Sequence, residues 1–233
     1  DEIGALKHDG ITTAWGTGGK TYFKAPGIHP VNGNLIVLWD LSNSTPIAAI
    51  TPPYSANNAT FWAGEVLLDN DGNVYIQSRM DFNGDLDFVL YKFNSTGSEV
   101  WNITTHENQW LRRAAFMEDS RSSMDIAPNG TTIAMATDEY VVLIDTITGN
   151  LQAKTSVYGK VLQVQYASAT QLVIATSTVS GATPEFYSLN ATSLAEIWNF
   201  NSEVDAFQID CSKNSLYCVF TNGDQMAFAA ASN

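Results

Sequence analysis

Oxygen-bearing side chains recur at alternate positions in one short segment of the 233-residue chain. Asp81, Asn83, Asp85 and Asp87 are separated by single residues, in a segment that we expect to form a loop. Calcium binds several oxygen ligands at once, and a short loop can supply them at this spacing. The same residues are typical of a solvated polar loop, which is the favoured interpretation. Calcium is the only cofactor that this pattern leaves open.

A second candidate group combines a tryptophan with three arginines. Trp110, Arg112, Arg113 and Arg121 fall in the longest segment without a strand pattern, residues 105–121. Tryptophan and arginine are enriched among the residues that dominate binding energy at interfaces. This group is therefore the best candidate for a ligand or partner contact. A loop packed over the core, with its arginines paired to the acidic surplus, is the favoured alternative.

The two cysteines are spaced for a bond across a hairpin. A turn at Asn214-Ser215 would place Cys211 opposite Cys218, so that the two sulfur atoms would face each other. The sequence therefore predicts a cross-strand disulfide. Two buried free thiols are the alternative.

Asn-x-Ser/Thr sequons, the acceptor sites of N-linked glycans, occur at six positions. They are Asn43, Asn58, Asn94, Asn102, Asn129 and Asn190. Most of them fall in predicted turns, where a bulky glycan can be accommodated. The alternative is that asparagine and threonine are simply common in turns.

Motifs for catalysis are missing from the sequence. The three histidines, His8, His29 and His106, have no metal-ligand spacing, and no Gly-x-Ser-x-Gly segment occurs. Acidic residues are abundant, but nothing in the sequence singles out a catalytic pair of carboxylates. We therefore predict no catalytic residues.

The amino-acid composition indicates which kinds of partner and which cellular compartment suit this protein. Acidic residues outnumber basic ones 24 to 11, and the net charge of −13 would repel nucleic acid and anionic membranes. Charged residues make up only 15% of the chain, and no apolar run is long enough to span a bilayer. With the sequons, this composition favours an extracellular protein or one in the lumen of the secretory pathway.

The segments that must position these residues form an internal repeat. Each unit contains four apolar strands with small polar turns, such as Asn70-Asp-Gly-Asn73 and Pro128-Asn-Gly-Thr131. The spacing is typical of the blades of a β-propeller. The predicted fold is all-β, one propeller domain spanning residues 1–233. Its blades are predicted at about residues 11–52, 61–105, 122–157, 162–201 and 206–232.

The last unit has three strands, and the N-terminus offers a fourth. Residues 1–8 match the fourth strands of other units, with Glu2 and Ile3 aligned to Glu99 and Val100. Pairing of this segment with the last unit would close a ring of five blades and remove an open sheet edge. The alternative is that the five units are part of a longer array.

The repeat resembles the PQQ-like, or quinoprotein-type, propeller repeat. The resemblance rests on Thr96-Gly97 before Trp101, and on Val74-Tyr75 and Leu216-Tyr217 after the first turn. This superfamily includes quinone-dependent alcohol dehydrogenases, outer-membrane assembly scaffolds and lumenal sensor domains. Its dehydrogenases use an adjacent pair of cysteines under the cofactor. That pair is absent here, so the resemblance implies the fold and not the activity.

The two ends of the predicted sheets differ in their connections. Turns between the first and second strands and between the third and fourth are short, whereas the other connections carry the insertions. These long loops are predicted at Pro26–Gly33, Pro52–Thr60, Arg79–Asp87, Thr105–Arg121 and Thr178–Glu185. Functional residues usually lie on such loops, so we expect any site at that end of the sheets or at the mouth of the central channel.

The leading interpretation is a non-catalytic, glycosylated extracellular propeller. It would act as a structural or protein-interaction module, with a protein partner or with further copies of itself. A carbohydrate-binding, lectin-like propeller is the first alternative, and a quinoprotein-like or hydrolytic enzyme is the second.

Overall fold

The computed structural model describes the backbone of residues 12–15, 20–29, 33–40, 45–50, 60–82, 85–104, 124–137, 140–177, 185–201, 208–211, 217–221 and 226–230. Side chains are described for residues 66–77, 89–104, 124–137, 140–159, 161–176 and 186–200, and for Ile209, Cys211, Cys218 and Val219. The chain forms two compact units, Asp1–Gln109 and Trp110–Asn233. The prediction of a single propeller domain stays a prediction.

The first unit contains two four-stranded antiparallel sheets whose strands follow the order of the chain. The strands of the first sheet are β1 (Thr12–Trp15), β2 (Lys20–His29), β3 (Gly33–Asp40) and β4 (Thr45–Ile50). Those of the second sheet are β5 (Thr60–Leu68), β6 (Val74–Phe82), β7 (Asp85–Phe93) and β8 (Glu99–Thr104). Within this unit, β5 lies against β1 and β3 of the first sheet.

The second unit repeats the same order in two further four-stranded sheets and ends with one in which three strands are described. The third sheet consists of β9 (Met124–Ile126), β10 (Thr132–Ala136), β11 (Val141–Asp145) and β12 (Leu151–Thr155). The fourth consists of β13 (Lys160–Tyr166), β14 (Gln171–Ser177), β15 (Glu185–Asn190) and β16 (Glu196–Asn201). The fifth consists of β17 (Gln208–Cys211), β18 (Tyr217–Thr221) and β19 (Met226–Ala230).

The predicted all-β class and the four-stranded antiparallel repeat are confirmed, and the described residues contain no helix. The third sheet occupies residues 124–155, where the repeat predicts 122–157, and the fourth occupies 160–201, where it predicts 162–201. The predicted closing strand, residues 1–8, lies outside the described residues. Closure of a five-bladed ring stays a prediction.

Short polar turns end the third strand of the second, third and fourth sheets in the same way. Asn94, Asp145 and Asn190 stand at equivalent positions, and the side-chain oxygen of each accepts backbone N–H groups of its own turn. Such side chains favour turns because they replace a missing backbone partner. Bonds from the Thr148 N–H and hydroxyl also lower the pKa of the Asp145 carboxyl.

Two of the predicted long loops are wrong. Residues 26–33 belong largely to β2 and β3, in which His29 pairs directly with Gly33. Residues 79–87 belong largely to β6 and β7, in which Phe82 pairs directly with Asp85. The reason is that β2 pairs with β3, and β6 with β7, almost to the ends of the strands. The polar residues predicted to form loops therefore continue the antiparallel pairing. Most of the other three predicted loops lies outside the described residues.

A one-residue β-bulge occurs at the same place in the fourth strand of every four-stranded sheet. In the second sheet, Phe93 pairs with Glu99 and the preceding Lys92 with Trp101, so Val100 is the extra residue. The same shift occurs in β4, β12 and β16. A bulge bends an edge strand and disrupts its ladder, which hinders pairing with another chain. The bulges therefore blunt one edge of each of these sheets.

The core of the second unit lies between successive sheets. β13 lies against β9 and β10, and β17 lies against β13 and β14. One face of the fourth sheet, including Leu172 and Ile174, packs on the third sheet. Its other face, including Phe186, packs against Ile209 and Cys218 of the fifth sheet. The alternation of apolar residues along β14 therefore serves two neighbours at once.

Candidate functional site

The first strands of the three sheets in the second unit are edge strands that lie side by side. β9, β13 and β17 each stand at the end of their sheet, and β13 contacts both of the others. One side of an edge strand presents backbone groups that its own sheet does not use. Polar side chains from the preceding sheet bind these groups at two places.

Asp125 makes the first of these contacts, which we call the Asp125 joint. Its Oδ2 accepts a hydrogen bond from the backbone N–H of Tyr166 in β13 at 2.6 Å, and its Oδ1 accepts one from the N–H of Ile126 at 2.9 Å. Burial raises the pKa of Asp125 to about 6, and the two N–H donors oppose that rise. A carboxylate therefore joins the third and fourth sheets at the expense of its own hydration.

Gln163 makes the second contact, which we call the Gln163 joint. Its Nε2 donates to the carbonyl oxygen of Ile209 in β17 at 3.0 Å, and its Oε1 accepts from the N–H of Ile209 at 2.6 Å. The amide thus satisfies both backbone groups of one residue, as a neighbouring strand would. Gln163 is buried, so both bonds are shielded from water.

Two further polar atoms of β13 are buried without a hydrogen-bond partner among the described residues. They are the hydroxyl oxygen of Tyr166 and Oε1 of Gln165. Burial raises the pKa of the Tyr166 phenol well above its usual range, and the charge of Asp125 adds to the rise. The phenol therefore stays neutral across the physiological pH range.

Chemically, this arrangement holds sheets together. A strongly shifted acid in a protein is a candidate for proton transfer. Both oxygens of Asp125, however, are occupied by backbone N–H groups. Neither Asp125 nor Gln163 stands out as a functional residue in the sequence. The available signal was a single acidic residue between the apolar residues Met124 and Ile126.

The predicted partner contact lies outside the described residues. Trp110, Arg112, Arg113 and Arg121 all belong to the undescribed segment between β8 and β9. Their role stays a prediction.

The predicted calcium segment is a hairpin rather than a loop. Asp81 pairs with Leu86, Asp85 with Phe82 and Asp87 with Met80, while Asn83 lies outside the described residues. Successive residues of a strand alternate between its faces. This register therefore sets Asp81 on the opposite face of the hairpin from Asp85 and Asp87. The pairing removes the loop on which the calcium hypothesis depends, and metal binding itself stays untested.

Four of the six sequons lie in described residues, and three of these are in turns. The side-chain oxygen of Asn94 accepts from the N–H and hydroxyl of Thr96, at 3.0 and 2.7 Å, and Asn129 makes the same pair of bonds with Thr131. Asn102, by contrast, lies in β8 and donates to Glu99 at 2.7 Å. The other two sequons, at Asn43 and Asn58, lie outside the described residues. Whether any of the six carries a glycan stays a prediction.

The two cysteines are bonded to each other. Cys211 of β17 pairs with Cys218 of β18, their Cα atoms are 4.1 Å apart, and the sulfur atoms form a disulfide. The bond therefore closes the hairpin at the register that the turn residues predict.

Comparison with known proteins gives no family assignment. No protein-family model matches the sequence. A search of curated proteins found no matching sequence either.

Among the described residues, no helix has the length and apolar character to cross a membrane.

Proposed function

We propose that the protein is a non-catalytic structural or protein-interaction module of the extracellular space or the secretory lumen. The observation that supports the proposal best is the use of polar side chains between its sheets. Asp125 and Gln163 bind backbone groups of the next sheet, which is a structural task. These polar side chains therefore stabilise the scaffold. Scaffolds of this kind usually bind their partners through loops.

The proposed architecture is a five-bladed propeller of the PQQ-like type. The meander of four strands repeats at the spacing of propeller blades, and successive sheets of the second unit pack face to face. Residues 1–8 would supply the fourth strand of the last blade. The similarity of Glu2 and Ile3 to the start of β8 and β16 supports this closure.

The proposed compartment follows from the disulfide and the sequons. Disulfides form and persist in oxidising compartments such as the secretory lumen and the cell exterior. Cys211 and Cys218 are bonded, and several sequons lie in exposed turns. The net charge of −13 would repel nucleic acid, so the proposal includes no nucleic-acid partner.

Glycan attachment tests the compartment. We expect glycans on Asn94 and Asn190, because both stand in turns and neither amide nitrogen makes a hydrogen bond within the described residues. Intact mass of the chain secreted from cultured eukaryotic cells should fall by one glycan in each of Asn94→Gln and Asn190→Gln. Asn150→Gln, in the equivalent turn of the third sheet but outside any sequon, is the matched control. Unchanged masses in both variants would contradict the prediction.

Partner capture tests the interaction role. The proposed contact includes Trp110, Arg112, Arg113 and Arg121. Immobilised protein should retain specific proteins from the extracellular fluid of its source, and Arg112→Glu with Arg113→Glu should reduce that retention about tenfold by quantitative mass spectrometry. Lys154→Glu on the exposed side of β12 is the control for a change of charge. Equal retention by all three chains would argue against this contact.

A further inference from the structure

We propose that the joint between the third and fourth sheets is a pH-sensitive element, stabilised when the surroundings are acidified from neutrality, whereas the joint between the fourth and fifth sheets does not respond. This inference is independent of the proposed function. It concerns two contacts between neighbouring sheets, of which one uses a carboxyl group and the other an amide.

The geometry of the Asp125 joint makes its charge costly. The carboxyl group spans two sheets, with its oxygens 2.6 Å from Tyr166 N and 2.9 Å from Ile126 N. These two backbone donors are its hydrogen-bond partners among the described residues. Asp125 is partly buried, and the hydration that such a carboxylate loses is replaced in full only by a cation or by several donors. Protonation therefore relieves an electrostatic cost at this point.

The elements packed against Asp125 bring no compensating charge within the described side chains. β9 also contains Met124 and Ile126, and β10 (Thr132–Ala136) contains no ionisable residue. β13 contributes the Tyr166 phenol, which is neutral at physiological pH. Lys160, whose side chain is not described, is at the far end of β13, about 20 Å away along the strand.

The direction of the effect follows from the two protonation equilibria. Burial raises the pKa of Asp125 to about 6 in the folded protein, whereas an unfolded aspartate has a pKa of about 3.9. Between these values the folded state binds more protons than the unfolded state, so stability increases as pH falls. The gain is complete below pH ~4 and is lost as pH rises through about 6. Between pH 7.5 and pH 5 the folding equilibrium constant should increase about tenfold.

The Gln163 joint is an internal control because it also links neighbouring sheets through a side chain of a first strand, but it has no titratable group. Gln163 belongs to β13 and binds the N–H and carbonyl of Ile209 in β17. Neither the amide nor the backbone changes charge between pH 4 and pH 8. The amide resonance of Ile209 should therefore stay constant where that of Tyr166 moves.

The experiment is an NMR titration of the isotope-labelled full chain from pH 4.5 to pH 8. The Tyr166 amide proton should shift with a midpoint near 6, because its acceptor changes charge, and the Ile209 amide should not. In Asp125→Asn the Tyr166 titration should disappear, and the tenfold change in the folding constant, measured by urea unfolding, should disappear with it. A Tyr166 amide that does not titrate above pH 4.5, or that titrates unchanged in Asp125→Asn, would overturn the proposal.

A second variant keeps the test decisive if Asp125→Asn does not fold. Gln163→Glu installs a carboxyl group at the other joint. Protonated glutamic acid can donate to the carbonyl of Ile209 as the amide does, whereas glutamate cannot. The Ile209 amide should then acquire a titration, and stability should fall as pH rises. An Ile209 amide that stays constant in this variant would show that these joints do not sense pH.

Discussion

Replacing Phe186 by alanine should lower the free energy of unfolding by about 3–5 kcal/mol. Phe186 is fully buried in β15, and its ring stacks on that of Phe200 with 4.9 Å between centroids. It also packs in the cluster that joins the fourth sheet to Ile209 and Cys218 of the fifth. Alanine would leave a cavity between two sheets that are held in place by other contacts, so the cavity could collapse only in part.

Urea unfolding of the full chain, followed by tryptophan fluorescence, measures this effect. Phe186→Leu is the matched control, since it keeps an apolar side chain in the same space and should cost clearly less. A loss below ~1 kcal/mol for Phe186→Ala would mean that the fourth and fifth sheets do not share a packed core.

Replacing Gln163 by methionine should lower the free energy of unfolding by about 2–5 kcal/mol. Methionine has a similar length but forms neither of the two hydrogen bonds to Ile209. The N–H and carbonyl of Ile209 would then be buried without a partner, and each such group costs about 1–3 kcal/mol. The effect should therefore exceed that of losing an ordinary surface hydrogen bond.

Gln152→Met provides the comparison for this second prediction. Gln152 is exposed in β12, donates to Asp145 at 3.1 Å and accepts from Thr132 at 3.2 Å, so water can replace both lost bonds. Its replacement should change stability by less than ~0.5 kcal/mol. If the two methionine variants unfold at the same urea concentration, the Gln163 joint contributes nothing to the fold.

The two joints and the bulges protect opposite edges of the sheets. A side chain of the preceding sheet covers backbone groups of the first strands β13 and β17. A bulge disrupts the ladder of the fourth strand in each four-stranded sheet. Isolated sheets with open edges tend to pair with other chains. The repeat therefore limits unwanted pairing at both edges by two different means.

Local features of this protein were readable from the sequence because neighbouring residues determine them. Alternating apolar residues and turns such as Asn70-Asp-Gly-Asn73 predict the strands of the four-stranded sheets to within a few residues. The turn between the cysteines predicts that Cys211 lies opposite Cys218, as it does. In each case the interacting residues are close in the chain, so a short stretch of sequence contains all the residues that determine the contact.

Contacts between sheets were decided by the tertiary structure alone. Asp125 and Tyr166 are 41 residues apart, and Gln163 and Ile209 are 46 apart, so no local pattern connects them. Leu194 is a further example: it adopts a φ of 58° in a turn where Gly97 and Gly149 stand at the equivalent positions of other repeats. Leucine is disfavoured in this conformation. Its side chain is buried between the third and fourth sheets, and that packing offsets the backbone strain.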